Sequence, residues 1–212
     1  MNLDLVSSVT TNPKIMTDAK VKDIHEMIKL ICEYSIYDLS VELVDPFKSV
    51  DELVDEAVGY YECNEDKVVI KVPIIDKRTP ILIQKLEDYE IPINLTCVMS
   101  TYQAIMGLEY EPRYISFFYR RMVDFYNNRY KAQAQITQTQ IYQHKHKIGS
   151  ETEFICGSIR DPEDITECFN AGTDIVTVPY DVLLKSFIHP KSEEAILEFT
   201  TKWANKDGVE VK

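Results

Sequence analysis

Short apolar runs alternate with longer amphipathic stretches along almost the whole chain. This rhythm restricts the fold more than any other feature. A short apolar run fits a buried strand, and a stretch with apolar residues three or four apart fits a helix packed on one face. Repeated strand–helix units predict a parallel sheet covered by helices. The predicted strands are 5–10, 40–44, 67–72, 92–96, 114–119, 153–157 and 174–178.

Helices are predicted between these strands. Asp161 followed by Pro162 is a good start signal, because aspartate caps the first turn and proline suits the first helical position. The polar, glutamine-rich stretch 129–147 is interpreted as the exposed end of one long helix. The predicted helices are 18–36, 50–61, 79–89, 101–109, 122–147, 161–171, 180–188 and 192–205.

This pattern predicts an α/β fold, a TIM-type (β/α)8 barrel. Seven strands are predicted where a closed barrel has about eight. The shortfall lies at the amino terminus, so we expect the barrel to lack its first strand and helix. With 212 residues and 45% hydrophobic content, the chain 1–212 fits a single domain that ends in a helix at about 192–205.

Composition narrows the possible partners. The net charge of −12 repels nucleic-acid backbones, although one or two local arginines could still bind a small phosphorylated ligand. No apolar run approaches the roughly 20 residues of a membrane span. The five cysteines are scattered without a CxxC pair, which favours reduced thiols. We therefore expect a cytoplasmic protein that binds neither nucleic acid nor membrane.

Polar residues recur at the carboxyl ends of the predicted strands and in the loops that follow them. In a (β/α) barrel these ends meet at one face, where the active site lies. One buried polar residue is weak evidence, but nearly every strand contributes one. These candidates are Thr10, Asn12, Glu42, Lys71, Asn94, Thr96, Ser116, Arg121, Ser158 and Arg160.

Lys71 is the most informative of these residues, because it interrupts the apolar strand VVIKV. Burying an ammonium group is costly unless it is paired or gives up its proton. A neutral lysine in a dry barrel can attack a ketone and form an imine, with Glu42 and a water held by Thr96 moving protons. The alternative is a purely structural Lys71–Glu42 ion pair.

The other candidates suit the groups of a phosphorylated polyol. Asn12 and Asn94 can bind hydroxyl groups, whereas Arg121, Ser158 and Arg160 suit a phosphate. Here too a structural interpretation stays open. Either arginine could be a surface residue at the start of a helix, and Ser158 could be a helix cap.

Six segments, in order along the chain, are distinctive in combination: VTTNPKIM, VVIKVPI, IPINLTCVMSTYQA, YISFFYRRMVD, GSIRDPEDI and AGTDIVTVPYDVL. They resemble the transaldolase family and more narrowly its short-chain branch, which includes fructose-6-phosphate aldolase. The resemblance implies a (β/α)8 barrel that transfers a dihydroxyacetone unit between sugar phosphates, as in the pentose phosphate pathway. It also implies a Schiff base at Lys71, a phosphate site at Arg121, Ser158 and Arg160, and no metal or organic cofactor.

Two positions bear on the branch. Transaldolases of the family have Glu and Phe where the aldolase type has Gln and Tyr, and this chain has Glu42 and Phe118. Phenylalanine cannot protonate a released carbanion, so both residues favour transfer to an acceptor aldehyde. The alternatives are an aldolase-like lyase acting on a diverged substrate, or a catalytically impaired barrel that binds sugar phosphates.

The chain also departs from the family pattern. The family's first strand ends in an acid/base aspartate, and the only carboxylate near this amino terminus, Asp4, precedes the first predicted strand. We expect Asp4 at the opposite end of the barrel. Phe117, Arg120 and Glu90 replace a proline and two glycines of the family. An open barrel leaves two strand edges unpaired, so we expect a homo-oligomer.

Overall fold

The computed structural model describes residues 6, 8–35 and 37–206. Within them, strands and helices alternate as predicted. The strands are β1 (Val9–Thr10), β2 (Leu39–Glu42), β3 (Val68–Pro73), β4 (Ile93–Val98), β5 (Tyr114–Phe118), β6 (Glu153–Gly157) and β7 (Ile175–Val176). The helices are α1 (Pro13–Asp18), α2 (Ile24–Tyr34), α3 (Val50–Tyr61), α4 (Arg78–Glu87), α5 (Thr101–Leu108), α6 (Tyr119–Tyr126), α7 (Arg129–His146), α8 (Pro162–Ala171), α9 (Tyr180–Lys185) and α10 (Pro190–Lys206).

The seven strands form one parallel sheet in the order β1-β2-β3-β4-β5-β6-β7. The sheet curls until its two edges approach each other, and the Thr10 and Thr177 hydroxyl oxygens lie 3.0 Å apart. A cavity of about 300 Å³ lies beside this contact and is lined by residues from both edges, including Ser8 and Ile175. The prediction of a TIM-type barrel one strand short is confirmed for the part of the chain that the structure describes.

Side-chain caps explain where several helices begin. Asp161 caps α8 as predicted, and its partner in the capping box is Asp164. Asn12 caps α1 by accepting from the Ile15 N–H, and Pro13 is the first residue of that helix. The prediction missed α1 and began the next helix at residue 18, whereas α2 begins at Ile24. The Asn-Pro pair was the available signal.

The prediction of one long helix over 122–147 is wrong. Asn127 has a left-handed backbone with φ of 47°, and Asn128 caps a new helix by accepting from the Lys131 N–H. Asparagine tolerates both the left-handed conformation and the capping position, because its short amide side chain can hydrogen-bond to nearby backbone groups. The second helix, α7, is not simply an exposed end, since it buries Ala132, Ile136 and Thr139.

Two clusters of apolar side chains stabilise the barrel. The larger one lies between the sheet and the helices and includes Val41, Ile70 and Leu95, which alternate along their strands with the residues that face the barrel interior. The smaller one fills the barrel interior with Val69, Tyr114 and Ile155, and Ile175 packs against it. Among the described residues, no helix is both long and apolar enough to cross a membrane.

Candidate active site at the carboxyl ends of the strands

Strand register brings the central candidates together. Glu42 of β2 is in register with Lys71 of β3, and Lys71 is in register with Asn94 of β4. Thr96 lies two residues beyond Asn94 on the same face of β4. All four are buried, and Lys71 is only 5% exposed. The sheet therefore gathers one cation, one carboxylate and two neutral polar groups inside the barrel.

Lys71 makes two close contacts. Its Nζ lies 2.9 Å from Glu42 Oε2 and donates a hydrogen bond to the Thr11 carbonyl oxygen at 2.8 Å. The ion pair that the sequence left open as a structural alternative is thus present. Glu42 Oε2 accepts no well-aligned hydrogen bond from any described residue, so the pair is held by charge more than by hydrogen-bond geometry. This oxygen keeps the capacity to accept a proton.

Asn94 lies at the centre of a fully buried hydrogen-bond chain. Its Nδ2 donates to Ser40 Oγ at 3.1 Å, and its Oδ1 accepts from Ser116 Oγ at 2.6 Å. Thr11 Oγ1 donates to the Ser40 carbonyl at 3.3 Å. These bonds link strands β2, β4 and β5 across the interior and fix the side chains around the lysine.

Two features of β4 mark it as a strained part of the site. The Thr96 hydroxyl is completely buried but has no hydrogen-bond partner among the described residues, which is costly in a core. The next residue, Cys97, has φ of 63°, and the β4–β5 register shifts between Leu95 and Val98. Non-glycine residues in this conformation cluster at functional sites.

The Cys97 thiol shares an electrostatic environment with the lysine centre. Burial, with a smaller contribution from the Glu42 carboxylate, raises the pKa of Cys97 to about 11, while Lys71 and Arg121 act in the opposite direction. The thiol therefore stays protonated at neutral pH and acts as a small apolar side chain rather than a nucleophile.

The predicted phosphate residues form a second group at the rim. Arg121 lies in the first turn of α6, exposed to solvent, with its guanidinium carbon 5.3 Å from the centre of the Phe118 ring. Arg160 follows β6 and pairs with Asp124 of α6, Nη2 to Oδ2, at 2.6 Å. Both arginines are thus tethered by one neighbour and remain partly open to solvent.

Ser158 directly follows β6 and has φ of 62°. The alternative that it caps the following helix is wrong, because Asp161 is the cap of α8. Arg121, in contrast, does lie at a helix start on the surface, as its structural alternative proposed.

Two further candidates have local structural roles. Asn12 Oδ1 accepts from the Ile15 N–H at 2.8 Å as the cap of α1, which leaves its Nδ2 as the group that could bind a hydroxyl. Thr10 contacts Thr177 where the two sheet edges meet. Asp4 lies outside the described residues.

Sequence reasoning missed several residues of this region. Ser40 could have been found, because it lies two positions before Glu42 and so shares its face of the strand. Asp124 and Asp164 lie on helices, and nothing in the sequence indicated that they reach the arginines. No group of three or more His, Cys, Asp and Glu side chains in the described part of the chain is placed to hold a metal ion.

Comparisons with known proteins place the chain in a family. The sequence profile described as Transaldolase/Fructose-6-phosphate aldolase matches residues 1–211. A protein named "Probable transaldolase" from Methanococcus maripaludis strain C5 is 31% identical over 201 residues, covering 95% of this chain and 89% of the relative. A "Probable transaldolase" from Clostridium tetani is 29% identical over 195 residues, covering 92% of this chain and 86% of the relative.

Among solved structures, a GMP reductase variant from Trypanosoma brucei in complex with guanosine 5'-monophosphate aligns with a TM-score of 0.47 and 13% identity. It covers 68% of this chain and 30% of that one. The family assignment does not depend on this weak similarity, since it rests on the profile match and the sequence relatives. The chain therefore belongs to the transaldolase/fructose-6-phosphate aldolase family.

Proposed function

We propose that this protein is a transaldolase that transfers a dihydroxyacetone unit between sugar phosphates through a Schiff base on Lys71. The observation that carries the proposal is the buried Lys71 Nζ, 2.9 Å from a carboxylate at the active-site face of the barrel. Family membership adds support, because the matched relatives carry the name transaldolase. A role of the pentose phosphate pathway type is part of the proposal.

The proposed reaction begins when Lys71 Nζ loses a proton and adds to the C2 carbonyl of a ketose phosphate. Loss of water gives an iminium, and cleavage of the C3–C4 bond then sends its electron pair into that iminium to form an enamine. The C4 hydroxyl gives up its proton, and an aldose phosphate is released. Addition of the enamine to an acceptor aldehyde forms the new bond, and hydrolysis restores the lysine.

Glu42 and Thr96 are proposed to move the protons. Glu42 Oε2 faces the amine, so it can accept the proton that Lys71 must lose. Thr96 Oγ1, a buried hydroxyl without a partner in the described part of the chain, can hold a water for the hydrolysis step. Among the described residues, Glu42 is the carboxylate in contact with the lysine, and it is our candidate for the family's acid/base role.

Substrate binding is proposed for the remaining candidates. Asn94 and Ser116 would position the hydroxyl groups, together with Thr10 and Asn12. The guanidinium groups of Arg121 and Arg160 and the Ser158 hydroxyl would hold the phosphate. Phe118 would leave the enamine without a nearby phenolic proton donor, which favours transfer over free cleavage.

We further propose that the protein acts in the cytoplasm as a homo-oligomer. All five cysteines are free thiols. Within the described sheet, β1 and β7 each pair with one strand only. The α10 side chains of Ile196, Leu197 and Phe199 are each more than 60% exposed, which is a large apolar surface for a single helix. Light scattering that gives the mass of a monomer would contradict the oligomer.

Trapping the imine tests the catalytic proposal. The protein is incubated with fructose 6-phosphate, reduced with borohydride, and digested for mass spectrometry. We expect the adduct on Lys71, with turnover that requires an aldose-phosphate acceptor. Lys71→Arg keeps the charge and should abolish the adduct. Lys67→Arg is the matched control, because Lys67 directly precedes β3 but donates to the Cys32 and Ser35 carbonyls instead of pairing with Glu42.

The outcomes separate the alternatives. Turnover without an acceptor would favour an aldolase-like lyase. An adduct without turnover would favour an impaired barrel that binds sugar phosphates. Absence of any adduct on Lys71 would overturn the catalytic proposal altogether.

A further inference from the structure

We propose that Asp164 is a positioning residue that fixes the phosphate-binding rim. Its side chain is completely buried at the start of α8. Oδ2 accepts from the backbone N–H groups of Arg160 at 2.9 Å and Asp161 at 3.2 Å. One oxygen of this carboxylate therefore fixes the backbone of the loop that carries Ser158 and Arg160.

The other oxygen of Asp164 binds two arginines from neighbouring helices. Oδ1 accepts from Arg120 Nη1 of α6 at 3.2 Å and from Arg129 Nη1 of α7 at 3.1 Å. Arg120 directly precedes Arg121 in the first turn of α6. A single buried carboxylate thus joins the loop that carries Arg160 to the helix turn that carries Arg121.

A helix cap alone does not explain these contacts. The capping box of α8 needs Asp164 only as the acceptor for the Asp161 N–H. The additional bonds to the Arg160 N–H and to two arginines are directed at the rim. Burial of such a charge cluster adds little stability over apolar packing, whereas it does fix geometry.

The phosphate-binding rim needs a positioning residue because the contacts within the rim do not hold its two arginines at one separation. Ser158 has φ of 62°, and the Arg160 guanidinium pairs with Asp124 where both side chains are about half exposed. A phosphate bound between Arg121 and Arg160 requires the two segments at a set separation. Asp164 provides that separation from inside the protein without touching the ligand.

The inference rests on the proposed phosphate site, and it is tested on the full chain with Asp164→Asn. The amide keeps an acceptor for the loop backbone but loses the charge that binds the arginines. Glu167→Gln is the matched control. Glu167 is also an α8 carboxylate, and it pairs with Arg129 and accepts from the Tyr119 hydroxyl at 2.7 Å, but among the described residues it bonds neither the loop nor Arg120. Thermal unfolding followed by circular dichroism verifies that each variant is folded.

The first readout is the binding of inorganic phosphate, measured by calorimetry. We expect Asp164→Asn to weaken it about tenfold, as loss of one charge-assisted contact would, and Glu167→Gln to leave it unchanged. The second readout is the rate of borohydride-trapped adduct on Lys71. With fructose 6-phosphate this rate should fall about tenfold at low substrate concentration in Asp164→Asn, and with unphosphorylated dihydroxyacetone it should not change.

Wild-type phosphate affinity in folded Asp164→Asn would overturn the inference, and so would an equal loss in Glu167→Gln or no phosphate binding by the wild type. If Asp164→Asn does not fold, Arg120→Gln removes the same link from the α6 side and should weaken phosphate binding, and normal binding in that variant would overturn the inference. Weakened phosphate binding without any wild-type adduct would support the positioning role while contradicting the proposed imine chemistry.

Discussion

The barrel interior has two layers that differ in chemistry although the same strands build both. The layer toward the amino ends of the strands is mainly apolar and contains Val69, Tyr114 and Ile155. Two residues further along their strands, Val69 gives way to Lys71 and Tyr114 to Ser116. The inner layer toward the carboxyl ends is therefore polar, with one ion pair and a chain of hydrogen bonds.

The two layers differ in how their buried groups are satisfied. The apolar layer is satisfied mainly by contact, apart from the Tyr114 hydroxyl, which donates to Asp38 Oδ2 at 2.6 Å, so its contribution scales mainly with buried surface. Among the described residues, the Thr96 hydroxyl in the polar layer has no hydrogen-bond partner, and Glu42 Oε2 has its ion pair with Lys71 but no well-aligned hydrogen bond. Cys97 has a left-handed backbone, and all three features reduce stability. Strained residues of this kind cluster at functional sites.

The largest expected effect comes from Lys71→Met in the polar layer. It should abolish the trapped adduct and acceptor-dependent turnover. It should also lower the free energy of unfolding by roughly 3–5 kcal/mol, because Glu42 would be left buried without its partner. Urea unfolding measures this loss, and the double variant Lys71→Met/Glu42→Leu should recover most of it. A double variant as unstable as the single one would show that the ion pair is not the cause.

Ile155→Ala tests the apolar layer. We expect a loss of about 2–5 kcal/mol in the free energy of unfolding, with the rate of adduct formation within about twofold of wild type, because the cavity forms below the lysine. Ile141→Ala on the exposed face of α7 is the control and should change stability by less than about 0.5 kcal/mol. If Ile155→Ala slows adduct formation as strongly as it destabilises the fold, the two layers are not separable.

Ser116→Ala removes one hydrogen bond from the chain in the polar layer, so its expected effect on stability is smaller than that of the two preceding variants. Asn94 Oδ1 would lose its donor while still buried, which should lower the free energy of unfolding by about 1–3 kcal/mol. Ser186→Ala, whose hydroxyl bonds the Val182 carbonyl near the surface, is the control with little expected effect. Equal stability of the two variants, measured by urea unfolding, would mean that Asn94 finds another donor.

The smallest expected effect is a pH dependence at the border of the polar layer. The pKa of Cys97 is about 11 in the folded protein and near 9 for an ordinary thiol, so the unfolded chain loses this proton first as pH rises. The contribution to stability is therefore complete below about pH 9 and is lost toward pH 11. Between about pH 9 and pH 11, the free energy of unfolding measured with urea should fall more for the wild type than for Cys97→Ala. An equal fall in the two proteins would contradict the raised pKa of Cys97.

Much of the fold was predictable because strand and helix periods are local properties. Each predicted strand overlaps an observed one, and Asp161–Pro162 correctly marked the start of α8. The single helix over 122–147 was wrong because Asn127 can adopt either helical or left-handed backbone, and local pattern does not decide between them. The missed helix α1 carried a readable Asn-Pro signal.

The candidate site was predictable only as a set of residue types. Polar residues at strand ends indicated Lys71, Glu42 and Asn94, since parallel strands bring those ends to one face. The partners of the rim arginines were not predictable, because Asp124 and Asp164 lie on helices whose rotation about their axes depends on packing. The sequence likewise did not reveal that Asn12 uses its oxygen to cap α1.

Local sequence pattern was sufficient to predict the alternation of strands and helices, the parallel sheet, and a lysine inside an apolar strand. It did not reveal that Lys71 faces Glu42 and the Thr11 carbonyl, or that the two sheet edges meet at Thr10 and Thr177. The difference is one of range. Hydrophobic periodicity acts over neighbouring residues, whereas an ion pair or a rim of two arginines depends on strand register and helix packing between segments far apart in the chain.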